Sequence, residues 1–344
     1  MDKDTQAALA LIASLPDQSY FDLDEDTDDR IVEELAELPF HGIVIHAPSQ
    51  VDLLKRGRLP VFLAAQTTAL RNWNVKFTLN TTAVATDLLD GEVVLMHAFA
   101  SRKRRDYSKM PGSRHGPQPT AEAAAATTSD LRQINLTELM EFDWDVSRYA
   151  ITFFTHDWVS NTVVSELTGS GGALPPGATP SLSAEAAREL GAALRASKAD
   201  PALLPGFVRT SATPTLPGEG AVLSVPATVS ADAPTIAVHG ALRLPLAPGA
   251  FRVPSADDVE EGAALAYLRA SILLVKLDER YRPQADVSVP VVGPVGVKPG
   301  DTAEGVFAID LKAALPGALT PGDYFVYLFA GKHHSGPHAL TVTQ

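Results

Sequence analysis

Short apolar runs recur along most of the chain, separated by Gly, Pro, Asn and Asp. Four of these runs are rich in β-branched and aromatic residues, namely VKFTLNTTAV, GEVVLMHAFA, ASILLVKL and EGVFAIDL. Apolar and polar positions alternate only in part, which is typical of strands whose sheet packs against a second sheet. Short strands at this spacing favour antiparallel sandwiches over units in which strands alternate with helices. The pattern therefore predicts a mainly β protein.

Three segments have the helical period instead. The first ends before Pro16, and its apolar face consists of Ala8, Leu11, Ile12 and Leu15. The apolar face of the second consists of Ile31, Leu35 and Leu38. The third, SAEAARELGAALRASK, has Ser183 as its predicted N-cap. We expect these helices to flank the strands and not to alternate with them.

Two pieces of the chain occur twice in the same order. Tyr149–Thr168 aligns without a gap with Tyr324–Thr343, at an offset of 175 residues. GIVIHAPSQV, from position 42, resembles GAVLSVPATV, from position 220, at an offset of 178. The identical pairs include Tyr149 and Tyr324, Phe154 and Phe329, Ser160 and Ser335, Thr168 and Thr343, Pro48 and Pro226, and Val51 and Val229. We interpret this pattern as a duplicated domain.

One local motif adds a fold-level resemblance. LTPGDY, which ends at Tyr324 and is followed by FVYLFA, resembles the corner before the penultimate strand of immunoglobulin and fibronectin type III domains. In those domains a tyrosine hydroxyl bonds to the preceding backbone. WDVSRY in the first copy keeps Tyr149 but lacks the Pro-Gly. The resemblance implies two tandem immunoglobulin-like sandwiches, an architecture that hosts many functions.

These patterns together predict four regions. They are an acidic helical segment (1–40), a first sandwich with a long basic loop at 101–130 (41–168), a linker with a helix (169–218) and a second sandwich (219–344). The linker prediction rests on the glycine- and proline-rich sequence TGSGGALPPGATP.

Composition narrows the function classes. The chain has 344 residues, a net charge of −13 and no cysteine. The negative charge argues against nucleic-acid binding, and the lack of cysteine excludes disulfides and thiolate chemistry. No segment has the length of apolar residues that a membrane span needs, and the N-terminal run is a poor signal peptide, so we expect a cytoplasmic protein. Nucleotide-binding glycine motifs are absent, and no cofactor is predicted.

A histidine-rich stretch, GKHHSGPH, lies near the end of the sequence. It contains His333, His334 and His338, and the repeat aligns it with THDWVSN, which contains His156, Asp157 and Trp158. We expect both stretches to form hairpins that carry a binding surface at their tips. Three imidazoles can also hold zinc or copper. However, adjacent strand residues point to opposite faces and the stretch has no carboxylate, so the sequence favours a turn over a metal site.

An acidic stretch is spaced like a calcium-binding loop. Positions 1, 3, 5, 7 and 12 of a twelve-residue window are occupied by Asp22, Asp24, Asp26, Asp28 and Glu33. Thr27 replaces the glycine at position 6, and Asp29 replaces the apolar residue at position 8. A solvated acidic helix start is therefore the favoured interpretation.

A basic cluster contrasts with the acidic chain. It consists of Arg102, Lys103, Arg104 and Arg105, with Lys109 and Arg114 close behind. A solvated loop is the favoured interpretation. Phosphate or nucleic-acid binding and contact with an acidic surface are the alternatives.

The sequence favours a non-enzymatic binding, assembly or structural protein that engages a protein partner or a second copy of itself through loops or sheet edges. One alternative is a metal-dependent or hydrolytic enzyme that uses the hairpins, with His156 and Asp157 as acid and base. Another is a carbohydrate-binding module in which Trp158 stacks on sugar. Catalytic motifs such as G-x-S-x-G and H-E-x-x-H are absent.

Overall fold

A computed structural model describes residues 2–15, 29–68, 80–89, 91–97, 120–139, 144–169, 216–246, 251–252, 265–277, 282–290 and 300–344. These described residues are mainly β, which confirms the predicted fold class at that level. Their few helices are short, and none is long and apolar enough to cross a bilayer.

Eighteen strands are described. The N-terminal strands are β1 (Gly42–His46), β2 (Gln50–Asp52), β3 (Pro60–Thr68), β4 (Thr82–Asp87), β5 (Val93–His97), β6 (Thr127–Asn135), β7 (Arg148–Thr155), β8 (Trp158–Val159) and β9 (Val163–Thr168). The C-terminal strands are β10 (Gly220–Ser224), β11 (Thr228–Ser230), β12 (Ala237–Pro245), β13 (Phe251–Arg252), β14 (Leu265–Lys276), β15 (Gln284–Pro290), β16 (Thr302–Asp310), β17 (Gly322–Ala330) and β18 (His333–Thr343).

The helices with described residues are α1 (Lys3–Ala13), α2 (Asp29–Glu37), α3 (Leu53–Arg56), α4 (Ala121–Ala125), α5 (Leu136–Leu139) and α6 (Leu311–Ala314). The chain divides into two compact units. One comprises Met1–Ala85, Val94–Val146 and Ile151–Gly172, and the other comprises Thr86–Val93, Ser147–Ala150 and Ala173–Gln344. Apart from Gly169 and 216–218, the predicted linker lies outside the described residues.

The N-terminal strands form two sheets, of order β1-β3-β6 and β2-β9-β7-β4-β5, with β8 paired to β7. The C-terminal strands form two sheets of corresponding order, β10-β12-β16 and β11-β18-β17-β14-β13, with β15 paired to β14. In each set the first two strands belong to different sheets. The second strand of each set, β2 or β11, runs parallel to the last strand of its set, β9 or β18.

The passage of the chain from one sheet to the other explains why proline recurs at positions 48 and 226. Pro48 lies between β1 and β2, and Pro226 lies between β10 and β11. Proline lacks the N–H that a central strand residue donates, so it is tolerated where a strand ends. The repeated proline therefore marks the point at which the chain leaves one sheet and joins the other.

A single buried core joins the two C-terminal sheets. Val238, Leu242 and Leu244 of β12 belong to the same apolar cluster as Ile272 and Leu274 of β14. Every second side chain of a strand points to the same face, and on one face of β12 all of Val238, Gly240, Leu242 and Leu244 are buried, whereas on the other face only Ala241 is. Burial of this apolar surface on one face is what holds the sheet pair together.

In the three-stranded N-terminal sheet, β1-β3-β6, one face is covered by α1 and α2. Ala8 and Ile12 of α1 and Leu35 of α2 are fully buried, and they pack against Phe62 and Ala64 of β3. Leu9, Leu11, Leu15 and Leu38 pack at the margin of this cluster. Except for Leu9, all these helix residues belong to the predicted apolar faces, which the structure confirms. Because both faces of the sheet are covered, β3 is buried along nearly its whole length.

One predicted boundary is wrong. The sequence predicted a loop from 101 to 130, but α4 spans Ala121–Ala125 and β6 begins at Thr127. Thr127 and Thr128 pair with Thr68 and Thr67 of β3, so backbone pairing to an existing strand overrides the polar sequence of this segment. Residues 101–119 and the predicted helix that begins at Ser183 lie outside the described residues.

Candidate functional site

Two equivalent hairpins position the candidate residues. The β7–β8 turn consists of His156 and Asp157, and the β17–β18 turn consists of Gly331 and Lys332. The first turn residue has a positive φ in both hairpins, 48° at His156 and 55° at Gly331. This left-handed conformation favours glycine, so His156 holds a conformation that few side chains adopt.

The histidine cluster does not lie at a loop tip. The hairpin is where the alignment placed it, but His333 and His334 are strand residues that pair with Ala330 and Phe329. His338 also lies on β18, opposite Val326 and beyond an irregularity in the register. The expectation that this stretch forms the tip of the hairpin is therefore wrong for the histidines, because the two-residue turn is complete before His333.

His333 lies beside a charged pair. Glu219 Oε2 is 3.8 Å from His333 Nε2 and 3.4 Å from Lys332 Nζ. Burial lowers the pKa of His333, and the positive charge of Lys332 lowers it further, while Glu219 acts in the opposite direction. Burial outweighs the single carboxylate, so the imidazole is favoured in its neutral form.

His334 is the most enclosed of the three histidines. Its ring lies 6.2 Å from the ring of Phe329, centroid to centroid. Burial lowers the pKa of His334, and a charge on His333 lowers it further. His333 and His334 are neighbours on one strand, so their side chains point to opposite faces of the sheet. They do not converge on one ligand.

His338 contacts a serine hydroxyl. Ser335 Oγ lies 2.9 Å from His338 Nε2 and accepts a hydrogen bond of 3.0 Å from Leu223 N–H. Burial lowers the pKa of His338, so this imidazole too is favoured in its neutral form. A neutral imidazole nitrogen can accept the serine proton, as in the first step of nucleophilic catalysis. The same hydroxyl also ties β18 to β10.

The first hairpin has a different chemistry. Asn80 Nδ2 lies 3.2 Å from His156 Nε2, and because an amide nitrogen only donates, the imidazole accepts this bond. Asp157 is exposed at the turn. Trp158 is half-buried on β8, opposite Thr155, so it is neither a core residue nor a fully exposed anchor.

The structure brings no metal-ligating set together within the ranges it describes. Among those residues there is no group of three or more His, Asp or Glu side chains placed to hold an ion. Glu33 is exposed on α2, while Asp22, Asp24, Asp26, Arg102, Lys103, Arg104 and Arg105 lie outside the described residues. The calcium-loop and basic-cluster hypotheses therefore stay predictions.

A set of side-chain bonds that the sequence did not reveal recurs in both strand sets. Asn135 Oδ1 accepts a bond of 3.1 Å from Leu59 N–H, and Asp310 Oδ1 accepts one of 2.8 Å from Ile236 N–H. Both acceptors end an outer strand just before a short helix, α5 or α6. The available signal was the triplet INL at 134–136, which matches IDL at 309–311 at the offset of 175.

The parallel strand pairs share further bonds. Glu166 N–H donates to Ser49 O, and Thr341 N–H donates to Ala227 O, both at 2.9 Å. These donors are 175 residues apart and the acceptors are 178 apart, which are the two offsets of the sequence alignment. The repeated threonines act alike as well. Thr168 Oγ1 donates to Val51 O at 3.5 Å and Thr343 Oγ1 donates to Val229 O at 3.2 Å.

Comparisons with known proteins do not assign a family to this chain. No family model matches the chain, and no curated protein matches it. One similar solved structure is a "putative membrane anchored protein" from Corynebacterium diphtheriae, with 10% identity and a TM-score of 0.17. The match covers 89% of this chain and 59% of that one, so the chain spans less than two thirds of the other protein. A TM-score this low is not a basis for assigning fold or function.

Proposed function

We propose that the chain is a tandem pair of immunoglobulin-like β-sandwich domains with a non-enzymatic role in binding, assembling or scaffolding proteins. The observation that carries this proposal is the set of matched side-chain bonds. The polar residues that recur in both strand sets, Asn135 with Asp310 and Thr168 with Thr343, bond to backbone within the fold. What the two copies share is thus a scaffold.

Two features support the immunoglobulin-like assignment. Tyr324 hydroxyl donates a 2.7 Å bond to the carbonyl of Thr320, which is the bond of a tyrosine corner. The three-stranded and larger C-terminal sheets contribute to one core, as the two layers of a sandwich do.

The residues of the two hairpin turns support a binding role over catalysis. His156 and Asp157 of the first turn correspond to Gly331 and Lys332 of the second. Duplicated sandwiches that keep the same framework and vary the exposed turn residues are suited to recognition, because end loops and edges are where such domains bind.

The test is an assay of the full chain against a panel of carboxylic esters, phosphate esters and glycosides, with and without zinc or copper. The proposal predicts no turnover above that of the His338→Ala variant. Turnover that is abolished in this variant would overturn the non-enzymatic role.

Hydrolysis is the second candidate, and the contact between Ser335 Oγ and His338 Nε2 favours it. Its test is an organophosphorus fluoride, with which a reactive serine forms an Oγ–P bond as fluoride leaves and the histidine takes the hydroxyl proton. Mass spectrometry that finds the adduct on Ser335 supports this candidate. A chain left unlabelled at Ser335 excludes it and leaves the hydroxyl with its bonding role between β18 and β10.

A further inference from the structure

β16 is the outer strand of the sheet β10-β12-β16, and no other described strand pairs with its far side. The residues that flank β16 bond to the chain beside β12 through their backbone. The carbonyl oxygen of Asp301 accepts a hydrogen bond from Leu246 N–H, and Leu311 N–H donates one to the carbonyl oxygen of Ile236. In an antiparallel pair alternate residues bond to the partner, so the odd-numbered residues of β16 bond to β12. The N–H and C=O groups of Thr302, Glu304, Val306 and Ala308 therefore point away from β12.

The corresponding N-terminal strand, β6, carries charges on a face where β16 carries none. Asp130 and Arg132 form an ion pair of 2.8 Å on the face of β6 opposite to Leu131, and Leu131 packs against the helices. Charges on the inward face of an outer strand discourage the addition of another strand. Gly305 and Phe307 occupy the corresponding positions of β16, at the offset of 175, and neither is charged.

At its centre, β16 exposes an apolar side chain where β6 buries one. Leu131, opposite Ala64, is buried beneath the helical cluster, whereas its counterpart Val306, opposite Ala241, is 40% exposed. An exposed apolar side chain and a row of outward-facing backbone groups thus coincide at the centre of one strand. That combination suits pairing with an extended strand.

We propose that β16 pairs antiparallel with β16 of a second copy of this chain, about a two-fold axis at Val306. This inference rests on the proposed binding and assembly function and names its partner. Val306 then lies opposite its own copy, Glu304 lies opposite Ala308, and Thr302 lies opposite Asp310. No like charges stand directly opposite one another, and the central pair is apolar, as cross-strand stability requires. Pairing of this kind is isologous and closed, so it stops at two copies.

The test is light scattering of the full chain during size-exclusion chromatography over a series of protein concentrations. The wild type is expected to shift from the mass of one copy to the mass of two as concentration rises. Val306→Lys places two like charges on the axis and is expected to stay at one copy. Val164→Lys is the matched control, because Val164 of β9 is 38% exposed, and it is expected to behave as the wild type.

A wild type that stays at one copy throughout, or a Val306→Lys variant that dimerises as well as the wild type, overturns the pairing. If the variant fails to fold, amide exchange of the wild type decides: the N–H groups of Glu304, Val306 and Ala308 must become protected with rising concentration. Unchanged exchange at all three overturns the proposal. A single copy in solution leaves the non-enzymatic function standing, whereas turnover in the substrate panel that His338→Ala abolishes overturns that function whatever the mass.

Discussion

Asn161 exchanges two hydrogen bonds with the backbone of Ile45. Its Oδ1 accepts from Ile45 N–H, and its Nδ2 donates to Ile45 O, both at 2.9 Å. Ile45 lies on β1, an outer strand, so the amide side chain takes the place of a neighbouring strand residue. In the C-terminal strands, Ser335 Oγ accepts from Leu223 N–H, and Leu223 is the counterpart of Ile45 at the offset of 178.

Asn161→Ala removes both bonds and leaves a part-buried N–H and C=O without this partner. We expect a loss of about 1–3 kcal/mol in the free energy of unfolding. Urea denaturation followed by circular dichroism measures it. Gln50→Ala, at an exposed position of β2, is the control and is expected to change the stability by less than about 0.5 kcal/mol. Equal losses in the two variants would contradict the bridging role.

Asp310 offers a test in which its N-terminal counterpart, Asn135, indicates the conservative replacement. Asp310→Ala removes the acceptor for both Ile236 N–H and Lys312 N–H, at the start of α6. The expected cost is about 1–2 kcal/mol, as for other helix N-caps. Asp310→Asn keeps Oδ1, as Asn135 does in the N-terminal strands, and is expected to retain most of the stability. If the alanine and asparagine variants melt together, the acceptor has no role.

Tyr324→Phe tests the corner before β17. The change removes only the hydroxyl that donates to Thr320 O, so we expect a loss of about 0.5–1.5 kcal/mol. Thr320→Ala is the paired variant. It keeps the backbone carbonyl but removes a hydroxyl that contacts both Tyr324 and Lys276 Nζ. Thermal unfolding of both variants separates the two contributions, and an unaltered Tyr324→Phe protein would contradict the corner bond.

The three histidines of β18 predict a dependence of stability on pH. Burial lowers the pKa of His333, His334 and His338 in the folded chain. In the unfolded chain the histidines have a pKa of about 6.5, so this state binds more protons than the folded state below that pH. Stability is fully present above about pH 6.5 and is lost as the pH falls from there through the lower folded values.

His334→Gln is expected to reduce this loss, since it removes a buried group that resists protonation. Unfolding free energies at about pH 5.5 and about pH 7.5 measure the effect. Phe329→Leu is the control, because it disturbs the same ring contact without removing a titrating group, and it should keep the wild-type pH difference. A His334→Gln protein with an undiminished pH difference would show that His334 does not contribute.

Periodic and repeated features were predictable from sequence. The faces around Ile12 and Leu35 follow from the helical period alone. The offsets of 178 and 175 relate the two parallel pairings to each other: Gln50 pairs with Glu166, and the residues at the corresponding positions, Thr228 and Thr341, also pair.

Contacts between distant segments were not predictable. Asn161 lies 116 residues from Ile45, and nothing in its own sequence surroundings indicates that partner. Thr127 and Thr128 have a polar, loop-like sequence and become strand only because β3 offers a pairing edge. The histidines of GKHHSGPH suggested a tip because glycine and proline flank them. The turn, however, needs only Gly331 and Lys332, so the remaining residues extend the strand.

If the two strand sets share one hydrogen-bonded scaffold, equivalent amides must be protected in both, which residue-resolved amide exchange of the full chain measures. We expect protection of both members of two pairs, Ile45 with Leu223 and Glu166 with Thr341, because each N–H is bonded within its own strand set. Exchange of one member at the rate of an unstructured peptide, while its counterpart is protected, would contradict a shared scaffold.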